Sequence, residues 1–226
     1  MKKTALVAIL IFANTFNSFS QFPVKNINGL NYAISQQIDS SDYFIIGSLA
    51  NKSNKSKYNL NNGQQYDYYG GLSTVWTNVF IQNTHDKKIT RVFPDGMFAV
   101  YPVYNTAAFI KTDYGYQPRG LNSGMTETYI IYLAKTDEYN KDNVLDEDDP
   151  VYLYISTKTG ANFMQITSGG MNVTSWKQSK DGKTIIATIQ TDKNGDKKFT
   201  DEDETIYQIN LDDDFKKITV IPISIK

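Results

Sequence analysis

Along the chain, apolar residues come in short runs rich in Ile, Val, Tyr and Phe, separated by clusters of Gly, Asn, Asp and Lys. No stretch holds apolar residues at the 3.6-residue spacing of an amphipathic helix, so the pattern predicts an all-β protein. The runs also repeat. Phe44-Ile45-Ile46, Tyr129-Ile130-Ile131 and Thr184-Ile185-Ile186 open three corresponding strands. Downstream of each, an aliphatic–aromatic pair starts another strand: Val79-Phe80, Leu153-Tyr154 and Ile206-Tyr207. A tight turn follows, then a strand with apolar residues three apart: Ile89/Val92, Phe163/Ile166 and Ile218/Ile221. Residues 97–110 and 172–178 supply strands ahead of the second and third units. Each unit therefore reads as an antiparallel, four-stranded meander of β-propeller blade type, about three blades in all, at about 27–96, 97–167 and 168–226. The offset from Ile130 to Ile185 is 55 residues, against roughly 40–45 for a bare four-stranded blade. The excess falls between the second and third strands of each unit.

Residues 1–20 stand apart from this pattern. Lys2 and Lys3 precede a short apolar run, ALVAILIFA, and Ser18 and Ser20 put small residues at −3 and −1 before Gln21. This is the grammar of a cleaved signal peptide, and the apolar run is about half of the roughly 20 residues needed to span a bilayer. The Ser20-Gln21 junction resembles signal peptides of Bacteroidetes-type bacteria. The expectation is an exported protein, periplasmic or secreted, with residues 21–226 forming one all-β repeat domain and no membrane span after signal removal. With no cysteine, such a protein relies on core packing or on another staple, such as metal ions.

One segment carries a family resemblance. Leu153-Tyr154-Ile155, Gly160, Gln165-Ile166-Thr167, Trp176, Ser179-Lys180-Asp181-Gly182-Lys183 and Ile185-Ile186 together resemble the repeat of TolB-type β-propellers. In that repeat an L-Y strand and a Q-(I/L)-T strand precede a W-x-x-(S-P-D)-G-K turn. Lys180 stands where that turn usually has proline. The third unit matches moderately, and the first keeps only the apolar skeleton. The resemblance implies blades that pack face to face, with Trp176 between neighbours and Gly182 supplying a positive-φ turn. TolB-type rings close with about six blades, so three units imply a partial propeller, a homodimer that completes the ring, or a compact non-propeller stack.

The second and third units each carry an acidic insertion in the same hairpin. The third reads Asp192-Lys193-Asn194-Gly195-Asp196-Lys197-Lys198-Phe199, continuing to Asp203. Oxygen-bearing side chains at positions 1, 3, 5 and 12, with an apolar residue at 8, follow the calcium loop of EF-hand and dockerin-like motifs. Position 7, Lys198, would lend its main-chain carbonyl. In the second unit Glu138, Asn140, Asp142 and Asp149 take positions 1, 3, 5 and 12, Leu145 takes 8 and Asp146 takes 9, an offset of 54. Glu at position 1, Asn143 and Lys197 in place of the glycine at 6, and Asp at 12 depart from the EF-hand consensus. Solvated acidic turns are the alternative, since Asp, Asn, Gly and Lys dominate loops. Two such runs in equivalent hairpins favour Ca2+ as the cofactor, held as a structural staple at about 10⁻⁴–10⁻³ M or somewhat tighter.

Composition and charge narrow the rest. With no cysteine and a single histidine, His85, one chain has no thiolate nucleophile and no multi-histidine metal site. A formal net charge of −1 leaves no electrostatic footprint for nucleic acid. His85 falls in a Thr84-His85-Asp86 turn and reads as solvated. A G-x-S-x-G nucleophile elbow is absent, and a non-enzymatic binding or scaffold role in the cell envelope is expected, with an envelope protein or a glycan as partner. The other reading is a carbohydrate-binding or carbohydrate-active protein. Its aromatic loop would present Tyr66, Tyr68, Tyr69 and Trp76, with Tyr114 and Tyr116 in a second such stretch; the same aromatics could equally fold back onto the sheet.

Overall fold

The computed structural model describes residues 24–27, 30–38, 41–49, 58–59, 76–94, 96, 99–101, 103–105, 123–125, 129–179, 182–200, 203–212 and 217–223. Residues 1–20, expected to be a signal peptide, and Tyr66, Tyr68, Tyr69, Tyr114 and Tyr116 lie outside these residues. Every regular element among the described residues is a strand, and no helix there is long and apolar enough to cross a membrane.

The first unit contains β1 (Val24–Ile27), β2 (Leu30–Gln37), β3 (Tyr43–Leu49), the short β4 (Tyr58–Asn59), β5 (Trp76–Asn83) and β6 (Ile89–Arg91). Strands β1, β2, β3, β5 and β6 pair successively and antiparallel. The second unit has β7 (Ala99–Val100), β8 (Val103–Asn105), β9 (Ser123–Met125), β10 (Tyr129–Lys135), β11 (Leu145–Asp146), β12 (Tyr152–Thr157) and β13 (Met164–Gln165). Here β10 pairs with β12, β12 with β13, and both β7 and β9 lie along the other side of β10. The third unit is an uninterrupted four-stranded meander of β14 (Met171–Gln178), β15 (Thr184–Thr191), β16 (Glu204–Leu211) and β17 (Ile218–Pro222). Because Val100 pairs with both Trp76 and Ala134, the first two units fuse into one 11-stranded sheet, while the third keeps its own. Among the described residues these sheets do not close into a barrel or a propeller ring.

The three units stack through two cores. Strand β10 explains why: all seven of its residues are buried, and alternate side chains serve opposite faces. Ile130, Tyr132 and Ala134 enter a first core with Ile45, Trp76, Val79, Ile81 and Phe93 of the first unit. Ile131 and Leu133 enter a second core with Val173, Ile185, Ala187, Ile189 and Ile209 of the third unit. A strand covered on both sides has to be apolar throughout, and YIIYLA is. Each such side chain contributes about 1.5–3 kcal/mol on burial. The first core also holds an aromatic group, with Tyr154 stacked on Phe163 at 5.3 Å and Phe93 edge-on to Phe163 at 4.7 Å.

Two sequence expectations shift in detail. The three Ile-Ile pairs do sit in corresponding strands, but Ile45 and Ile130 meet across the first core, whereas Ile185 meets Ile131 in the second. A one-residue change of phase flips the face of every side chain, and the repeat signal alone does not reveal it. Of residues 97–110, the described ones form two short strands, β7 and β8, with Tyr101 outside both. The turn between β14 and β15 has Gly182 at φ +74°, with its N–H donating to the Ser179 carbonyl at 3.0 Å. Trp176 is half-buried and lies against the second core.

Trp76 corrects the aromatic-surface expectation. Its side chain is 1 % exposed and belongs to the first core, so it offers no face for a sugar to stack on. The indole lies directly over Gly47 of β3, in the space that a Cβ would fill. Apolar β-sheet neighbours draw a large aromatic inward, and Gly47, two positions from its ladder partner Leu49, makes the room.

Candidate functional site

The three insertions gather along one rim of the stack. In the first, β4 pairs in parallel with β11 of the second, Tyr58 opposite Leu145 and Asn59 opposite Asp146. Leu145 is fully buried there, as an apolar residue at position 8 should be. The second insertion in turn touches the third. The Tyr139 hydroxyl donates to Asp192 Oδ2 at 2.9 Å, the Tyr139 and Phe199 rings lie 5.5 Å apart, and Lys197 Nζ donates to the Asn140 carbonyl at 3.4 Å.

The two acidic loops share one conformation. Asn140 Nδ2 donates to Asp142 Oδ2 at 3.1 Å, and Asn194 Nδ2 to Asp196 Oδ2 at 3.1 Å. The Asp142 N–H reaches Asn140 Oδ1 at 3.0 Å, and the Asp196 N–H reaches Asn194 Oδ1 at 3.0 Å. The N–H of Val144 bonds Asp142 Oδ1 at 2.8 Å and that of Lys198 bonds Asp196 Oδ1 at 2.9 Å. Positions 4 and 6 are left-handed in both: Lys141 (φ 67°) and Asn143 (φ 69°) in one, Gly195 (φ 76°) and Lys197 (φ 64°) in the other. Left-handed backbone at residues other than glycine is uncommon; Lys197 is held there by its N–H bond to Asp192 Oδ2 at 3.1 Å. Asn143 and Lys197, at the position where the motif has glycine, thus take the left-handed conformation themselves.

The loops differ at their first and last positions. Asp192 accepts the N–H groups of Gly195 at 2.7 Å and Lys197 at 3.1 Å. Desolvation raises its carboxyl, but the Tyr139 hydroxyl and the backbone donors outweigh it and hold the group below the usual carboxylate range. Glu138, one methylene longer, leaves Oε1 buried with no partner. At position 12, Asp149 is 1 % exposed and closes its loop, taking the Tyr139 N–H at 2.7 Å and the Asp146 N–H at 2.9 Å. Burial pushes this carboxyl up, against those two hydrogen bonds and Lys135. Asp203 instead accepts Thr200 Oγ1 at 3.2 Å and lies 3.8 Å from Lys193 Nζ.

Below the second loop sits a residue the sequence pattern did not single out. Lys135, 4 % exposed at the end of β10, donates to the carbonyls of Glu147, at 3.3 Å, and of Asp149. Its one sequence signal is a cation directly after a fully apolar strand. Tyr139, the bridge to Asp192, was likewise hidden inside an acidic run.

The donor set of both loops is carboxylate, amide and main-chain oxygen, which suits a hard cation. A carboxylate oxygen can hold a backbone N–H and still accept further contacts. Among the described residues, however, no three His, Cys, Asp or Glu side chains converge on one point; Asp149 is engaged by backbone N–H groups and Asp203 by Thr200. Cation binding would therefore need the loop carboxylates to draw together. Replacing Tyr139 with phenylalanine should move the Asp192 carboxyl up toward its ordinary range, measurable by carboxyl NMR titration. His85 lies in its turn, largely exposed, 2.9 Å from Asp42. Compared with known proteins, the chain matches no protein-family model and no curated protein.

Proposed function

We propose that the chain is an exported calcium-binding β-protein of TolB-like blade type, with a non-enzymatic binding or scaffold role in the cell envelope. One observation carries the calcium reading. Two loops 54 residues apart, sharing the oxygen-bearing pattern but differing at most other positions, adopt the same left-handed curl and the same hydrogen bonds around Asn140/Asp142 and Asn194/Asp196. Both loops thus present the same oxygen-bearing side chains, the donor set that a hard cation takes. Calcium in each loop would neutralise an acidic rim and fix the hairpin beneath it.

Thermal unfolding of residues 21–226 in EGTA, and then in a few millimolar calcium, tests this. The expected result is a rise in Tm of several degrees, as ligand binding to the folded state alone produces. Asp192→Ala combined with Asp196→Ala should remove the third unit's share of the rise. An unchanged Tm in the native protein overturns the calcium reading. Light scattering on the same samples addresses the partner. Exposed Ile89 in the first unit and Ile186, Ile221 and Ile223 in the third support a second copy that completes the stack, and a monomeric mass at all concentrations rejects it.

A further inference from the structure

A cleft of about 350 Å³ opens on the far side of the first core, between two turns. One wall is the β5–β6 hairpin, whose turn is braced by the Asn83 N–H to the Lys88 carbonyl at 2.9 Å and the Lys88 N–H to Asp86 Oδ1 at 2.8 Å. The other wall is the turn from Thr157 to Ala161, closed by the Thr157 N–H to the Ala161 carbonyl at 2.9 Å. Gly160, at φ +79°, lets this second turn descend onto the first sheet. A Cβ there would stand 3.2 Å from Ile81 and 3.3 Å from Thr90. Both walls are thus held by their own hydrogen bonds, and the cleft is preformed.

Its lining has a definite chemistry. Tyr43 and Ala161 supply aromatic and aliphatic surface over the buried Ile81, while Asn83, Asp86, Lys88 and Thr159 bring both donors and acceptors to the rim. Asp86 and Lys88 stand on the same wall with opposite charges, so the rim favours neither an anion nor a cation. Apolar surface beside a mixed polar rim without net charge matches a ring whose faces are C–H and whose edge is hydroxyl. The volume is at the small end for ligand pockets. We propose that this cleft binds a neutral sugar unit, with Tyr43 against the C–H face and Asn83, Asp86, Lys88 and Thr159 on the hydroxyls. The proposal does not depend on calcium, nor on the aromatic stretch that includes Tyr66.

The test is amide NMR of the full mature chain, titrated separately with glucose, galactose, mannose, N-acetylglucosamine, maltose and cellobiose at tens of millimolar. At least one sugar should give saturable shifts centred on residues 83–90 and 157–161. Lys88→Met and Asp86→Asn change exposed side chains and leave the apolar core intact; each should weaken that sugar about tenfold, or about 1.4 kcal/mol. No saturable shift with any of the six sugars overturns the proposal. So do shifts centred elsewhere, or affinities unchanged in both variants. Tighter binding of glucuronate or glucosamine than of glucose would overturn the assignment to a neutral ligand.

Discussion

Replacing Gly47 with alanine is expected to destabilise the protein at or above the upper end of the about 1–3 kcal/mol typical of overpacking. The added methyl would fall inside the Trp76 indole. That indole is 1 % exposed and shares the first core with Val79 and Val100, so it has no open side to move into. Protein interiors are packed too densely to absorb a displaced ring without off-rotamer side chains. Urea unfolding followed by far-ultraviolet circular dichroism measures the loss. Trp76→Leu removes the clashing ring and is itself costly through the cavity it leaves, but in the double variant the two losses should sum to less than their separate values. A Gly47→Ala loss below about 1 kcal/mol, or strict additivity, would show that the close approach of ring and glycine is not what the sheet depends on.

Lys135 gives the second large effect, and its sign follows from burial. Desolvation pushes the ammonium down to about 8, although Asp149, Asp146, Glu147 and Asp148 pull it the other way. The unfolded chain holds its lysine proton to about 10.5. Between about 8 and 10.5 the unfolded state therefore binds more protons than the folded one, and stability rises with pH across that window. From pH 7 to 9.5 the gain should be about 2 kcal/mol, since one pKa unit corresponds to about 1.4 kcal/mol. Above pH 10 the trend reverses, because burial raises the Tyr132 and Tyr154 hydroxyls and the unfolded chain then loses its tyrosine protons first. Lys135→Met should flatten the rising limb when urea midpoints are compared in EGTA. If the native protein is equally stable at pH 7 and 9.5, the ammonium is better solvated than its 4 % exposure implies.

The all-β character and the meander order were legible because both rest on local pattern: short apolar runs, β-branched and aromatic content, and turn residues between them. The equivalence of the two acidic runs was legible from their shared spacing of Asn and Asp, whose side chains accept backbone N–H groups two residues on. What lay beyond the sequence was everything set by contacts between units. The fusion of the first two units hangs on Val100 pairing with Trp76 and with Ala134. The inward turn of Trp76 needs Gly47 across the ladder. The bridge from Tyr139 to Asp192 joins residues 53 positions apart in the chain. The cleft proposed to take a sugar has walls from two units, and neither wall carries a motif by itself.

The double-sided burial of β10 also has a consequence in time. A chain leaves the ribosome from its N-terminus, so the first core can assemble once residues through β13 have emerged. At that moment Ile131, Leu133, Leu153 and Ile155 form a finished wall with nothing in front of it. Only when Ile185, Ile189 and Ile209 appear does that wall become an interior. Until then the nascent protein is at its most adhesive although two of its three units are already complete, and exposed apolar surface of this kind is where misassembly between chains begins. The last unit is therefore both a repeat and a lid on the stickiest intermediate of synthesis.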